Sequence, residues 1–241
     1  MSVLLMQFAG PLQSWGASSR FARRTTEPAP TKSGVIGLLA AALGRARTDD
    51  PADLVALRFG VRVDQPGTPL RDFHTAHRFV GGSAMPVSER FYLADAVFVA
   101  GVEGESDLIE KLRRAVRAPV FPPYLGRRSC PPARPVDLDV LHDLTLKDAL
   151  DREPWRAARW YQRRHGREPS IRLEVREDAV AGDGPVDTVR DRPISFDPLH
   201  RRYALRGVRQ RWVTVPNPAH RAPATVPAHD PVSVLGGARC T

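Results

Sequence analysis

Apolar positions alternate weakly from Ser2 to Ala9 and stop at Gly10-Pro11, a pattern that predicts a buried first strand. Arg20 to Pro30 has no hydrophobic period and reads as a loop, and the run from Ser33 to Leu43 reads as a helix capped by Thr31 or Ser33 and ended by Gly44. A second short helix is expected over Asp49–Leu57, with Asp49 or Asp50 as cap, and a strand over Phe59–Val63. Leu70 to Arg90 shows no packed face and reads as a projecting hairpin or long loop between strands. Tyr92 to Val102 reads as one strongly apolar strand. Ser106 is the expected cap of a helix over Asp107–Arg117, with Leu108, Ile109, Leu112 and Val116 inward and Lys111, Arg113, Arg114 and Arg117 outward. A proline-rich stretch, Pro119 to Pro135, leads to a closing strand near Val136–Val140.

From Asp143 onward the pattern is mostly β. An arginine-rich helical stretch is expected over Trp155–Arg167 and a strand over Ile171–Arg176, with Val186–Arg192 as its partner across a turn at 181–185. Ser195 to Pro198 forms another turn, and Arg201–Val215 alternates with a phase change that predicts a bulge or break at Gly207. The last 26 residues hold five prolines and read as an extended or disordered tail. The order strand, helix, strand, excursion, strand, helix, basic loop, strand is that of a ferredoxin-like βαββαβ plan, whose sheet and loops suit RNA. The expected fold is thus α+β. It comprises a ferredoxin-like domain over residues 1–142, a hairpin inserted at about 66–91, a smaller, mostly β region over 143–215 and a tail over 216–241.

At 42% hydrophobic residues the chain carries enough apolar side chains for a packed core, and the formal net charge of +9 favours a polyanionic partner. Lys32, Lys111 and Lys147 are the lysines; every other fixed cation is an arginine, which forks onto phosphates and stacks on bases. A GC-rich codon bias accounts for arginine over lysine but not for where the charges gather. Two cysteines, Cys130 and Cys240, make neither a disulfide framework nor a zinc site on their own. No basic segment with an apolar core opens the chain, and the apolar run Gly34–Gly44 is short of the roughly 20 residues of a membrane span. A cytoplasmic protein without a membrane partner is expected.

Two basic regions hold the candidate chemistry. In the first, Gln13, Ser14 and Trp15 precede Arg20, Arg23, Arg24, Lys32 and Ser33, where a strand, a glycine-bounded turn and a helix start make an anion site. Trp15 stacks on a base or, as the favoured role, lids the core. Gly34 and Gly37 share one helical side and imply a close approach by the first strand or by a ligand. In the second region, Tyr124, Gly126, Arg127 and Arg128 share a loop within a stretch, Arg113 to Arg134, that carries six arginines and no acid. Lys32, the Arg20–Arg24 run, Arg127 and Arg128 are expected on one continuous electropositive path. His74 and His77, three residues apart, would face opposite sides of a strand, which disfavours a joint acid–base site. The chain also lacks a carboxylate cluster suited to two metals. Binding without cleavage is favoured over metal-independent RNA cleavage; a basic structural protein of another RNA particle is the third class.

Four blocks carry a family resemblance: Ala9–Gly16, Pro30–Leu39, Arg71-Asp72-Phe73-His74-Thr75 and Tyr124–Pro131. Asp191–Asp197 followed by Arg202-Tyr203 adds a weaker fifth. In this order they resemble the CRISPR-associated "Cas five" family of the RAMP superfamily, in its CasD-type branch from type I-E Cascade. The resemblance implies an RRM-like RAMP body that holds the 5′ handle of a crRNA. It implies contact with Cascade backbone and large subunits, and with target DNA only indirectly. It also implies a thumb at the inserted hairpin, where Arg71, His74, His77 and Arg78 would make contacts. No cofactor, metal or catalytic residue is implied, although a sister branch does cut RNA.

Overall fold

The computed structural model describes residues 1–17, 23–180, 182–184 and 186–222. In chain order the elements are β1 (Ser2–Ala9), β2 (Leu12–Gln13), β3 (Arg23–Arg24), α1 (Lys32–Ala42), α2 (Ala52–Val55), β4 (Arg58–Gln65), β5 (Thr68–His74), β6 (Ser88–Ala94), β7 (Val97–Gly104), α3 (Ser106–Arg117), β8 (Asp137–His142), α4 (Leu146–Arg152), α5 (Arg159–Arg164), β9 (Ser170–Asp178), β10 (Asp187–Ser195) and β11 (Arg202–Pro216). Among these residues no helix is long and apolar enough to cross a membrane.

Seven strands form one antiparallel sheet in the order β10-β11-β9-β4-β7-β1-β8. All eight residues of β1 are buried, because the strand lies between β7 and β8 and both of its faces are covered. Leu4, Met6 and Phe8 point to one side, where Phe98, Ala100, Val102, Phe59 and Val61 join them in a core with apolar residues of α1 and α3. Val3 and Leu5 point to the other side and meet Val99, Val175 and the inner residues of α4, Leu146, Ala149 and Leu150. Helix α3 turns Ile109, Leu112 and Val116 inward, and its basic face lies outward.

β6 is the centre of a second, smaller sheet. It pairs antiparallel with β5 (Thr68↔Ala94 to His74↔Ser88) and with β2, and parallel with β3. The apolar stretch 92–102 is therefore two strands in two sheets rather than one. Asp95 adopts a positive φ of 55° and donates its N–H to the Pro11 carbonyl, and the chain changes sheets there. Both halves are apolar, so the pattern carries no mark of the corner.

Other expectations hold in part. Thr31 caps α1, accepting the Gly34 N–H at 3.2 Å, and Asp50 accepts from Ala52 at the start of α2. Ser106 does not cap α3; its hydroxyl lies 2.9 Å from that of Ser2, and α3 starts without a side-chain cap. The helix expected over Trp155–Arg167 shrinks to α5, while α4 arises ahead of it. Pro154 and the buried Trp155, whose indole donates to the Asp64 carbonyl at 2.8 Å, hold the intervening chain extended. β10 pairs with β11 rather than with β9, since the 15-residue β11 lies between them. β11 runs unbroken through Gly207. The irregularity sits in β10, between Val189 and Arg192 and again between Pro193 and Ser195, where Pro193 has no N–H to give.

One ion pair fixes the 143–158 segment to the sheet. Arg62, fully buried in β4, forks onto Asp64 at 2.7 and 3.0 Å and donates to the carbonyls of Leu150, Glu153 and Pro154 at the end of α4. Its guanidinium satisfies the carbonyls a helix leaves unpaired at its C-terminus.

Candidate nucleic-acid interface

The segment 10–16 is a structural joint whose side chains are almost all occupied internally. Gln13 is fully buried: its amide donates to the carbonyls of Phe8 and Ala96 at 3.1 and 2.8 Å and its Oε1 accepts the Trp15 indole N–H at 3.1 Å. Ser14 donates to the Phe91 carbonyl at 3.0 Å. The Trp15 ring is fully buried beside Phe8, with centroids 5.3 Å apart, and lids the core rather than offering a plane to a base. The approach implied by Gly34 is made by this ring: a Cβ built there would lie 2.9 Å from Trp15 Cε3. Gly37 faces Phe196 at an ordinary 3.8 Å.

The anion site expected at the start of α1 is filled from within the chain. Asp191 of β10, 1% exposed, accepts the Lys32 backbone N–H at 2.8 Å, so a carboxylate occupies the position a phosphate would take. The same carboxylate takes a bidentate pair from Arg206 at 2.8 Å to each oxygen, and Arg206 reaches on to Asp178 at 2.7 Å. Lys32 is 5% exposed; its Nζ donates to Asp178 and to the Leu57 carbonyl at 2.8 and 2.7 Å. Burial pushes its pKa down, against the pull of Asp178. Lys32 is thus removed from any surface path to Arg127, and Ser33 is likewise buried, 3.4 Å from the Thr31 hydroxyl. The path expected between the two regions does not include α1.

The second region does meet the first, through backbone. Leu125 and Cys130 are buried feet of the 124–131 loop, closed by Leu125 N–H donating to the Cys130 carbonyl at 2.7 Å. Burial raises the Cys130 pKa, which leaves the thiol protonated and inert. The Leu125 carbonyl accepts the Ser14 N–H at 3.0 Å. Gly126, at φ +84°, lies so close to Ser14 that a Cβ there would stand 1.8 Å from the Ser14 oxygen. Only glycine fits at this crossing.

That joint gathers arginines from three elements. Arg127 donates from Nη2 to the Arg24 carbonyl at 2.8 Å and its guanidinium sits 4.7 Å from the centre of the Tyr92 ring. Arg23 sits over Phe91 at 5.3 Å. β3 lies beside β6 with Arg24 opposite Arg90. Arg23, Arg24 and Arg128 are exposed, and Arg127, Arg90 and Tyr124 are half-buried. Arg127 Nη1 and Arg90 Nε have no hydrogen-bond partner. Those two nitrogens are buried within the group; the exposed guanidiniums of Arg23, Arg24 and Arg128 are the ones placed to meet phosphate oxygens and stacked bases. Arg20 falls outside the described residues.

The hairpin β5–β6 extends from this surface. Arg71, at 68% side-chain exposure, stands 3.5 Å from Glu89; His74 Nε2 lies 3.1 Å from Asp72; and His77 Nδ1 faces the Gly82 carbonyl at 2.9 Å. The Arg78 N–H donates to the Ser83 carbonyl at 2.9 Å, and its side chain is exposed. Sequence reasoning missed two features. Arg90 sits in the arginine group only because β3 and β6 pair. The hairpin tip leaves Phe79, Val80, Met85 and Val87 in solvent, Phe79 completely. The signal for the second was available: an apolar pair directly before Gly81-Gly82 is wasted unless something covers it.

Residues 3–209 match the family model described as CRISPR-associated protein (Cas_Cas5). The chain is 34% identical over 226 residues to the CRISPR system Cascade subunit CasD of Escherichia coli (strain K12), covering 85% of this chain and 93% of that one. Among solved structures it resembles one described as a Cas protein, with 39% identity and a TM-score of 0.68 over 92% of this chain and 98% of the other. It also resembles a chain of a CRISPR RNA-guided surveillance complex, with 31% identity and a TM-score of 0.73 over 92% and 95%. The chain belongs to the CRISPR-associated Cas5 family.

Proposed function

We propose that this chain is a non-catalytic RNA-binding subunit of a type I-E CRISPR Cascade complex, acting in the cytoplasm in antiviral defence. In this reading it holds the 5′ handle of the crRNA and bridges backbone and large subunits, with target DNA engaged only through the complex. The observation that carries it is the locked crossing of Gly126 on Ser14, which sets Arg23, Arg24, Arg127 and Arg128 on one side of a Cas5-family chain. A ferredoxin-like body over residues 1–142 is supported by the strand order β4-β7-β1-β8 with α1 and α3 in the two crossovers. The hairpin is the thumb, with Phe79 and Val80 meeting a neighbouring subunit and Arg71 and Arg78 free to reach RNA. The absence of a catalytic role is supported by His74 and His77, each facing a local oxygen on the hairpin.

Co-expression with the neighbouring operon, followed by sequencing of the RNA that travels with the chain, tests the reading. One uniform 5′ end derived from a repeat is expected; a mixture of cellular RNAs overturns it. Replacing His74 and His77 together should leave processing of precursor RNA intact, and its loss would return the nuclease alternative.

A further inference from the structure

A cavity of about 410 Å³ opens at the root of the 124–131 loop, on the C-terminal side of α3. Val116, Pro119, Pro123, Pro132, Pro135 and Val136 make up the apolar part of its lining. Arg117 and Arg134 stand at its edge, and Asp137, whose Oδ2 lies 3.7 Å from Arg117 Nε, completes it. Next to it Val120 and Phe121 are 63% and 51% exposed, so the apolar surface continues beyond the cavity. Along α3, Lys111, Arg114 and Arg117 recur every third residue, all exposed, and form a cationic row leading to the cavity.

We propose that this cavity is a docking site for an acid-rich segment of a partner protein, which inserts one large apolar side chain between the prolines. The inference rests on the reading of the chain as a complex subunit. Two complementary features define the occupant. An apolar hole with an exposed apolar margin requires an apolar anchor, and the row of cations requires carboxylates beside it. RNA supplies the charge, but the four prolines and two valines that make up most of the lining match an apolar side chain better than the polar edge of a base. Pro123 and Pro132 flank the loop that carries Arg127. The occupant therefore rests against the ends of the loop that carries Arg127.

The test uses the full chain co-expressed with its operon partners, carrying a photo-crosslinking amino acid in place of Phe121. Irradiation is expected to join it to a polypeptide whose crosslinked peptide is rich in Asp and Glu. The double variant Arg117→Glu/Arg134→Glu should reduce that product roughly tenfold or more, by like-charge repulsion. Arg134 sits at the surface while Arg117 faces Asp137, so Arg134→Glu alone should keep the parent's melting temperature and the double variant should fall slightly below it. A crosslink to RNA, to a basic peptide, or to nothing in a complex that otherwise assembles overturns the proposal. If the unmodified chain recovers neither partner nor RNA, the functional reading fails first and this inference with it.

Discussion

Gly126 and Ser14 touch backbone to backbone, and this contact joins the loop of Arg127 and Arg128 to the segment that leads to Arg23 and Arg24. The positive φ alone makes a side chain there cost about 1–3 kcal/mol, and the 1.8 Å overlap with a carbonyl requires the loops to part as well. Gly126→Ala is expected to lower the melting temperature and abolish binding of handle RNA together. Unchanged affinity in a destabilised variant would separate the joint from the RNA site.

Arg127 and Arg128 are neighbours with different duties. Arg127 is tied to Arg24 and Tyr92, whereas Arg128 points into solvent. Arg128→Ala should leave stability intact while flattening the log–log salt slope of RNA binding by about 0.7, the value for one phosphate on a single strand. Arg127→Ala should reduce affinity and also lower the melting temperature. Salt titrations and thermal melts of both variants decide between shared and separate roles.

The two glycines of α1 should respond oppositely to alanine. At Gly34 the new methyl meets the Trp15 ring at 2.9 Å, and overpacking costs about 1–3 kcal/mol. At Gly37 the nearest atom is 3.8 Å away, so the helical preference for alanine, about 1 kcal/mol, is free to act. Denaturant melts should therefore show Gly34→Ala destabilised and Gly37→Ala stabilised. A gain at both positions would mean that the Trp15 ring gives way.

Glu27 makes stability depend on pH. Burial lifts its pKa above the ordinary 4.5, opposed by Arg176 and assisted by Asp191. Between 4.5 and the raised value the folded protein holds a proton that the unfolded chain has lost. The contribution is therefore fully present below 4.5 and disappears as pH rises through the folded pKa. Glu27→Gln should match the parent in acid and become the more stable protein towards neutrality. A difference between the two melting curves that does not change with pH would sink this assignment.

Buried Asp191 offers the largest effect. Asp191→Ala leaves the Arg206 guanidinium and the start of α1 without their shared carboxylate. Breaking such a buried pair costs about 3–5 kcal/mol. Chemical denaturation should show this loss, and Arg206→Ala in the same background should add much less than it does alone, because the residues act as one unit.

The elements legible in the sequence are those fixed by local chemistry. β1 shows as alternation, α1 as a capped apolar run, and the 68–94 hairpin as an excursion with a glycine turn. Partners distant along the chain were not legible. Lys32 reads as a surface cation beside a helix start, yet its partners Asp178 and Asp191 lie 146 and 159 residues away. Asp95 gives no sign of turning a strand into two, and the 15 residues of β11 read as interrupted because the irregularity belongs to the strand beside it. At the candidate site, the arginines of the 124–131 loop were found by their charge density. The sequence puts the Arg20–Arg24 run and Arg127 on one path but does not show the contact of Arg127 with the Arg24 carbonyl, and Trp15 went to the core because Gln13 satisfies its indole.

The carboxylate that seats α1 comes from residue 191 of a 241-residue chain. During translation, the ribosome must deliver residue 191 before the helix that starts at Lys32 acquires its counter-charge. Prematurely ended products lack this closure and keep the Lys32 amide and ammonium unneutralised by Asp191 and Asp178. Helix α1 therefore gains its full set of partners only late in synthesis.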